Sequence, residues 1–135
     1  MAVLLVDVAN VVGARPDGWW RDRAGAATRL LDRLAVLPGR TVPGPDGEPV
    51  TCEAVVAVVE GRARDVPAPA AVRVVRAPGS GDDALAAEAA DLAADGRTVL
   101  AVTADRGLRA RLPATARTTG PGRLLALLDE VSPAG

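Results

Sequence analysis

The fold is decided by the stretch Ala2-Val3-Leu4-Leu5-Val6-Asp7, in which five apolar residues are followed at once by an acid. A short, continuously apolar run rich in β-forming residues is typical of a strand that is buried on both faces of a parallel sheet. Similar runs occupy residues 53–60, 71–75 and 98–102. We expect these segments to form three further strands of the same sheet.

Helical patterns alternate with these strands. The first helix is expected to begin near Trp19 or Trp20, after a loop that contains Gly13, Pro16 and Gly18, and Trp20 is expected to lie in its buried stripe. Further helices are expected over residues 82–94, 105–112 and 122–131. The alternation predicts right-handed crossovers and a three-layer α/β/α domain.

Two segments are less regular. Residues 115–118 are expected to add a short edge strand, which would bring the parallel sheet from four strands to five. Residues 38–50 are rich in proline and glycine and predict a peripheral loop or a small hairpin. No linker or repeat divides the chain, so we expect a single domain over residues 1–135.

Composition excludes several classes of chemistry. The chain has one cysteine and no histidine, which removes cysteine-rich zinc sites, imidazole proton relays and His-ligated metals. All 16 basic residues are arginine, so lysine chemistry is absent as well. The apolar runs are too short to span a bilayer and the start lacks a basic region, so we expect a cytoplasmic protein with no membrane association.

The remaining chemistry is that of carboxylates, and three predicted strands deliver acids to one edge. Asp7 ends the first strand, Asp82 and Asp83 begin the helix after the third, and Asp105 follows the fourth. Ligands of open α/β sheets bind beyond the carboxyl ends of the strands. Clustered carboxylates repel one another unless a cation is present, and oxygen ligands alone favour Mg²⁺ or Mn²⁺, which can polarise a phosphodiester and generate a hydroxide nucleophile.

Each acid also has a simpler explanation. Asp82 and Asp83 follow a glycine at a helix N-terminus, where aspartate commonly caps the helix, and Asp105 could cap the next helix in the same way. Helix capping explains Asp7 less well, because a carboxylate directly after five apolar residues is costly to bury without a partner. The coincidence of three strand-end acids favours a functional site.

Other polar residues are expected around the same edge. Asn10 either holds a metal-bound water or the scissile phosphate, or fixes the loop by an Asx turn. Thr103 either bonds within the acidic cluster or satisfies an amide at the strand end. Arg62, Arg64 and Arg106 could bind phosphates, pair with the acids or remain solvated. With Trp20 in the buried stripe, its neighbour Trp19 is expected to face elsewhere and could stack on a base.

Four segments, residues 4–13, 15–23, 79–83 and 102–108, together resemble the NYN branch of the PIN-like nuclease superfamily. The segment with both tryptophans resembles an actinobacterial subgroup. Proteins of this superfamily are small α/β domains that generally cleave RNA with Mg²⁺ or Mn²⁺. The resemblance implies that the four aspartates are the catalytic, metal-binding acids and that Asn10 and Thr103 support them.

Two features depart from that family. The second strand ends in Glu60 where an aspartate is often found, so Glu60 is either an accessory ligand or inert. The net charge is −1, whereas RNA binding normally needs a basic surplus. A partner or a homodimer would then have to supply the basic surface.

The sequence also contains partial matches to two other classes of protein. Residues 79–84 satisfy G-x-G-x-x-A after a strand, but two aspartates would face the pyrophosphate and the motif follows the third strand. A haloacid-dehalogenase-like phosphatase would need an acid two residues after Asp7, where Ala9 stands. The serious alternative to a ribonuclease is a catalytically weak or inactive PIN-like module that binds RNA or protein.

Overall fold

The computed structural model describes residues 1–131, which form a six-stranded sheet with helices on both faces. The strands are β1 (Ala2–Asp7), β2 (Thr41–Pro43), β3 (Pro49–Val59), β4 (Val72–Arg76), β5 (Val99–Val102) and β6 (Arg117–Thr119). The helices are α1 (Val8–Val12), α2 (Arg23–Leu34), α3 (Gly81–Ala94), α4 (Arg106–Arg111) and α5 (Pro121–Val131). Single 3-10 turns cover Trp19–Arg21 and Gly61–Ala63. The predicted single domain extends to residue 135, of which 132–135 lie outside the described residues.

Five strands are parallel and β1 lies at their centre. It pairs with β3 on one side and with β5 on the other. Beyond them β4 pairs with β3, and β6 pairs with β5. The short β2 pairs antiparallel with the beginning of β3, so the segment around residues 38–50 forms a hairpin. Because the five parallel strands point the same way, their carboxyl ends meet at one edge.

The core lies in two layers, one on each face of the sheet. Leu4 and Val6 of β1 point to the face covered by α1, α2 and α5, whereas Val3 and Leu5 point to the face covered by α3 and α4. All six residues of β1 are buried. A parallel strand between two helical layers has to be apolar on both sides, which explains its uninterrupted run of apolar residues.

The helix after the first loop begins later than its apolar pattern predicts. Trp19–Arg21 form a 3-10 turn, and α2 starts at Arg23 because the Asp22 carboxylate accepts a 2.9 Å hydrogen bond from the Gly25 amide. Trp20 therefore precedes the helix and is 50% exposed, so the prediction that it belongs to the core is wrong.

The segment directly after β1 is helical, whereas a loop was expected. Asp7 is the N-cap of α1, and Val8 and Val11 are buried. The expected loop is confined to the residues from Gly13 onward. A helix of five residues contains too few repeats for its periodicity to be visible in the sequence. None of the helices within residues 1–131 is long and apolar enough to cross a membrane.

Candidate metal centre and its surroundings

Asp7 lies at the carboxyl end of the central strand with only 9% of its surface exposed. Its Oδ2 accepts a 3.1 Å hydrogen bond from the Thr103 hydroxyl, and its Oδ1 accepts a 3.4 Å bond from the Asn10 amide. Burial raises the pKa of this carboxyl and the two hydrogen bonds lower it, while the nearby charges of Asp82 and Glu60 raise it further. The net effect is a raised pKa, and burial is its largest cause.

The loop after β5 holds Asp7 in place from the neighbouring strand. Thr103 is fully buried, and its hydroxyl both donates to Asp7 and accepts a 3.2 Å bond from the Asp105 amide. Both roles considered for Thr103 are thus present. The Asn10 side-chain oxygen accepts a 2.8 Å bond from the Ala104 amide, so this side chain joins α1 to the same loop. The ends of β1 and β5 are tied together by these bonds.

Glu60 brings a third strand end to the site. It follows β3, and its carboxylate accepts a short hydrogen bond from the Gly81 amide at the beginning of α3. A Cβ atom on Gly81 would overlap that carboxylate, so a larger residue there would require the end of the Glu60 side chain to move away from the Gly81 amide. The Ser80 hydroxyl accepts a 3.2 Å bond from the Asp82 amide and caps the same helix. These contacts set Asp82 beside the negative charge of Asp7.

The four predicted aspartates have different surroundings. Asp82 is half-buried and its charge acts on Asp7. The side chain of Asp83 is 73% exposed and pairs with Arg111 at 2.8 Å, and the Asp105 carboxylate caps α4 through a 2.9 Å bond from the Leu108 amide. Within residues 1–131, no three side chains of His, Cys, Asp or Glu form a group that could hold a metal ion. The charges of Asp82 and Glu60 act on Asp7, whereas Asp83 pairs with Arg111 and Asp105 caps α4.

The predicted phosphate-binding arginines share one property. Arg62, Arg64 and Arg106 are exposed, and their side chains make no hydrogen bond or ion pair with any residue in the described part of the chain. Within residues 1–131, the guanidinium groups without such contacts are those of Arg21, Arg23, Arg29, Arg62, Arg64 and Arg106. Arg62, Arg64 and Arg106 follow the carboxyl ends of strands, and Arg23 lines a groove beside that edge of the sheet.

The sequence did not predict the role of Arg109 or the contact between Glu60 and Gly81. Arg109 donates to the Thr103 carbonyl through Nε (3.1 Å) and Nη2 (2.7 Å), and so holds the loop that carries the Asp7 partner. The spacing of four residues between Asp105 and Arg109 would predict an ion pair between them, whereas the guanidinium binds the Thr103 carbonyl instead. The pairing of Glu60 with Gly81 had no such signal, because 21 residues separate them.

Comparison with known proteins supports the fold. No family model matches the chain, and no curated protein does. The crystal structure of Rae1 (YacP) from Bacillus subtilis matches with a TM-score of 0.73 at 17% identity, over 98% of this chain and 76% of that one. A mutant form of the same protein matches with a TM-score of 0.67 at 19% identity, over 98% and 78%. At this identity the likeness concerns the fold alone, and it confirms the predicted α/β architecture with a mostly parallel sheet.

Proposed function

We propose that this protein is an Mg²⁺- or Mn²⁺-dependent endoribonuclease of the NYN type, which hydrolyses phosphodiester bonds of RNA at the edge formed by Asp7, Asp82 and Glu60. The observation that carries this proposal is the buried Asp7 carboxylate. It ends the central strand, is oriented by Thr103, and has its pKa raised by burial and by two neighbouring acids. Such perturbed carboxyls at a strand end are typical of functional sites.

The donor set fits a hard, hydrated cation. Mg²⁺ keeps several of its waters and binds proteins through one or two carboxylates, so it does not need three direct protein ligands. Asp7 and Asp82 would hold it, with Glu60 beside them. Asp83 and Asp105 each keep a second carboxylate oxygen for a bound water. When bound, the cation would supply Lewis-acid polarisation of the phosphodiester and lower the pKa of an attacking water.

The protein's own groups have separate tasks in this proposal. Thr103 and the Asn10 amide fix the Asp7 carboxylate, and Arg109 fixes Thr103. Arg62, Arg64 and Arg106, whose guanidinium groups have no partner among residues 1–131, would bind RNA phosphates. Local arginines of this kind would permit RNA binding at a net charge of −1. A homodimer would extend the basic surface, and the cytoplasm is the compartment where we expect this activity.

The decisive experiment is a cleavage assay of the purified protein on a pool of end-labelled RNAs, with Mn²⁺, with Mg²⁺ and with EDTA. We expect cleavage in either metal, none in EDTA, and none by Asp7→Asn. Asp91→Asn is the matched control, because it removes an exposed charge from α3, more than two turns from Asp82. Cleavage by Asp7→Asn, or cleavage that persists in EDTA, would contradict the proposed site.

A second candidate function is a PIN-like module that binds RNA or protein without cleaving it. The observation that favours it is the engagement of Asp83 with Arg111 and of the Asp105 carboxylate with the Leu108 amide of α4. This candidate predicts RNA binding that is the same in metal and in EDTA and is unchanged by Asp7→Asn. The absence of cleavage in both metals, together with such binding, would select it.

A further inference from the structure

The 3-10 turn Trp19–Arg21 presents aromatic surface that the core does not use. Trp20 is 50% exposed and Trp19 is half-buried, and together they are the only aromatic residues of the chain. Their ring centroids are 5.9 Å apart with an interplanar angle of 86°, so the two rings present faces in different directions. An exposed indole beside a second one indicates a binding surface, because core packing does not account for it.

Arginines accompany both rings. The Arg21 guanidinium lies 6.0 Å from the centroid of Trp20, and the Arg23 guanidinium lies 5.4 Å from that of Trp19. Neither guanidinium has a hydrogen bond or an ion pair with another residue of the described chain. A guanidinium stacked on an indole keeps its N–H groups available for phosphate oxygens. The turn therefore offers flat apolar surface and phosphate donors side by side, which is the combination that a nucleotide requires.

A groove connects this turn to the acidic edge. Trp19 and Arg23 line one side of a space of about 360 Å³, and Ala9, Glu60 and Arg62 line another. This volume lies within the usual range of sites that accept small organic groups, roughly 300–1,000 Å³. Ala9 is two residues from Asp7 along the chain, and Glu60 is one of the two acids, with Asp82, whose charges act on Asp7. A chain bound in the groove would thus contact Glu60, which belongs to the acidic edge.

We propose that the Trp-Arg groove, which is lined by Trp19, Arg23 and Arg62 and continued by Trp20 and Arg21 on the adjoining 3-10 turn, binds one or two nucleotides of single-stranded RNA adjacent to the scissile phosphate. Its position next to the scissile phosphate rests on the ribonuclease function proposed above. Stacking needs bases that are free of a partner strand, so the groove selects single-stranded RNA over duplex RNA. The net charge of the whole protein does not oppose this binding, since the phosphate donors are local.

The test uses the fact that the intrinsic fluorescence of this protein comes only from Trp19 and Trp20. We would titrate the Asp7→Asn variant, which leaves RNA intact, with a single-stranded 10-nucleotide RNA and with the duplex of the same sequence. The single strand is expected to quench the fluorescence, and the duplex is expected to bind at least about ten-fold more weakly. Equal affinity for both forms, or binding without a change in fluorescence, would overturn the proposal.

Substitutions in the same background locate the contact. By anisotropy of labelled RNA, Trp20→Ala should weaken binding about ten-fold, the effect of one lost stacking contact, and Trp20→Phe should restore part of it. Arg23→Gln should weaken binding and reduce its salt dependence. Arg29→Gln, on the same helix but lining a different groove, is the matched control and should bind unchanged. Wild-type affinity of both Trp20→Ala and Arg23→Gln would contradict the groove.

The outcomes separate this inference from the proposed function. If the wild-type protein cleaves RNA in Mn²⁺ but Trp20→Ala and Arg23→Gln bind normally, the groove is wrong and the ribonuclease stands. If these variants lose binding while the wild-type protein cleaves nothing in either metal, the nucleotide groove stands, without its link to a scissile phosphate, and the ribonuclease is wrong. Circular dichroism melts of each variant show that the comparison concerns folded protein.

Discussion

At the scale of the residue, the cost of burying a carboxylate distinguishes Asp7 from the other acids. Thr103 and the Asn10 amide each donate one hydrogen bond to it, which lowers the pKa less than burial and the charges of Asp82 and Glu60 raise it. Folding therefore places Asp7 in a position that is unfavourable for its ionised form. Functional sites often retain such locally unfavourable groups because the chemistry needs them.

Asp7→Asn is therefore expected to melt at the same temperature as wild-type protein, or higher, near pH 7 in EDTA. The pKa of Asp7 is higher in the folded than in the unfolded chain, so the folded state binds more protons between the two values. The unfolding free energy of the wild type consequently falls as pH rises from the unfolded pKa through the folded one. Asparagine cannot ionise, and it caps α1 as well as aspartate does.

Thermal melts of both proteins near pH 7 and near pH 3 test whether the wild-type unfolding free energy falls as Asp7 ionises. The advantage of Asp7→Asn should disappear near pH 3, where Asp7 is protonated in both states of the wild type. Asp91→Asn serves as the control, because its carboxyl is exposed on α3. A wild-type protein that is clearly more stable than Asp7→Asn near pH 7 without metal would show that Asp7 is stabilising when ionised.

A second residue-scale prediction concerns Gly81. Gly81→Ala should lower the unfolding free energy by about 1 kcal/mol, since the new methyl group displaces the Glu60 carboxylate and breaks its hydrogen bond. In a Glu60→Ala background the same change should be neutral or stabilising by about 0.5–1 kcal/mol, because alanine is favoured over glycine in a helix. Urea unfolding of the four proteins of this cycle measures the coupling. Equal effects in both backgrounds would refute the contact.

At the scale of the element, aspartates that directly precede a helix cap that helix. Asp7 caps α1, Asp22 caps α2 and Asp105 caps α4, each through its own side chain. A carboxylate at a helix N-terminus satisfies free amides and interacts favourably with the helix dipole. The same carboxylates can point a second oxygen at a cation, so capping and metal binding do not exclude each other.

Asp105 allows the two roles to be separated. Asp105→Asn should change the unfolding free energy by less than about 0.5 kcal/mol, whereas Asp105→Ala should lower it by about 1 kcal/mol, because only asparagine keeps the cap. Metal-dependent cleavage should fall about 10- to 100-fold in both, because both lose the charge. Chemical denaturation and the cleavage assay provide the two measurements. Normal cleavage by Asp105→Asn would assign Asp105 to the helix alone.

At the scale of the whole molecule, the acidic edge joins elements from across the sheet. Its groups come from the ends of β1, β3 and β5 and from the beginning of α3, so a ligand that binds there stabilises the packing of the entire domain. A ligand that binds only the folded state raises the unfolding free energy in proportion to the logarithm of its concentration. Stability consequently reports metal binding even when no RNA is present.

Mn²⁺ or Mg²⁺ should therefore raise the melting temperature by several degrees. At about 100 times the dissociation constant the gain is about 2.7 kcal/mol. Differential scanning calorimetry with and without metal measures the shift. Asp7→Asn and Asp82→Asn should lose it, and Asp91→Asn should keep it in full. An identical shift in Asp7→Asn and wild-type protein would show that the metal binds elsewhere.

The sequence predicted the layers of this fold because its strands are buried on both faces and its helices are marked by periodicity and caps. The runs at residues 53–60 and 98–102 correspond to β3 and β5, and the helix expected at 82–94 corresponds to α3. The sequence-based prediction failed where two local signals, helical periodicity and an N-cap, indicate different starts for the same helix. Trp20 matches the helical phase of α2, yet the Asp22 cap starts the helix after it.

The sequence by itself predicted the parallel α/β architecture, the carboxylate chemistry of the candidate site and the sheet edge at which its acids lie. These follow from hydrophobic periodicity and from residue types that are absent, both of which are properties of short segments. Only the tertiary structure decided which acids meet. Glu60 joins Asp7 through the start of α3, Asp83 turns to Arg111, and Trp20 remains exposed beside the groove. Those outcomes depend on contacts between side chains that are far apart in the sequence. Local sequence patterns therefore do not predict them.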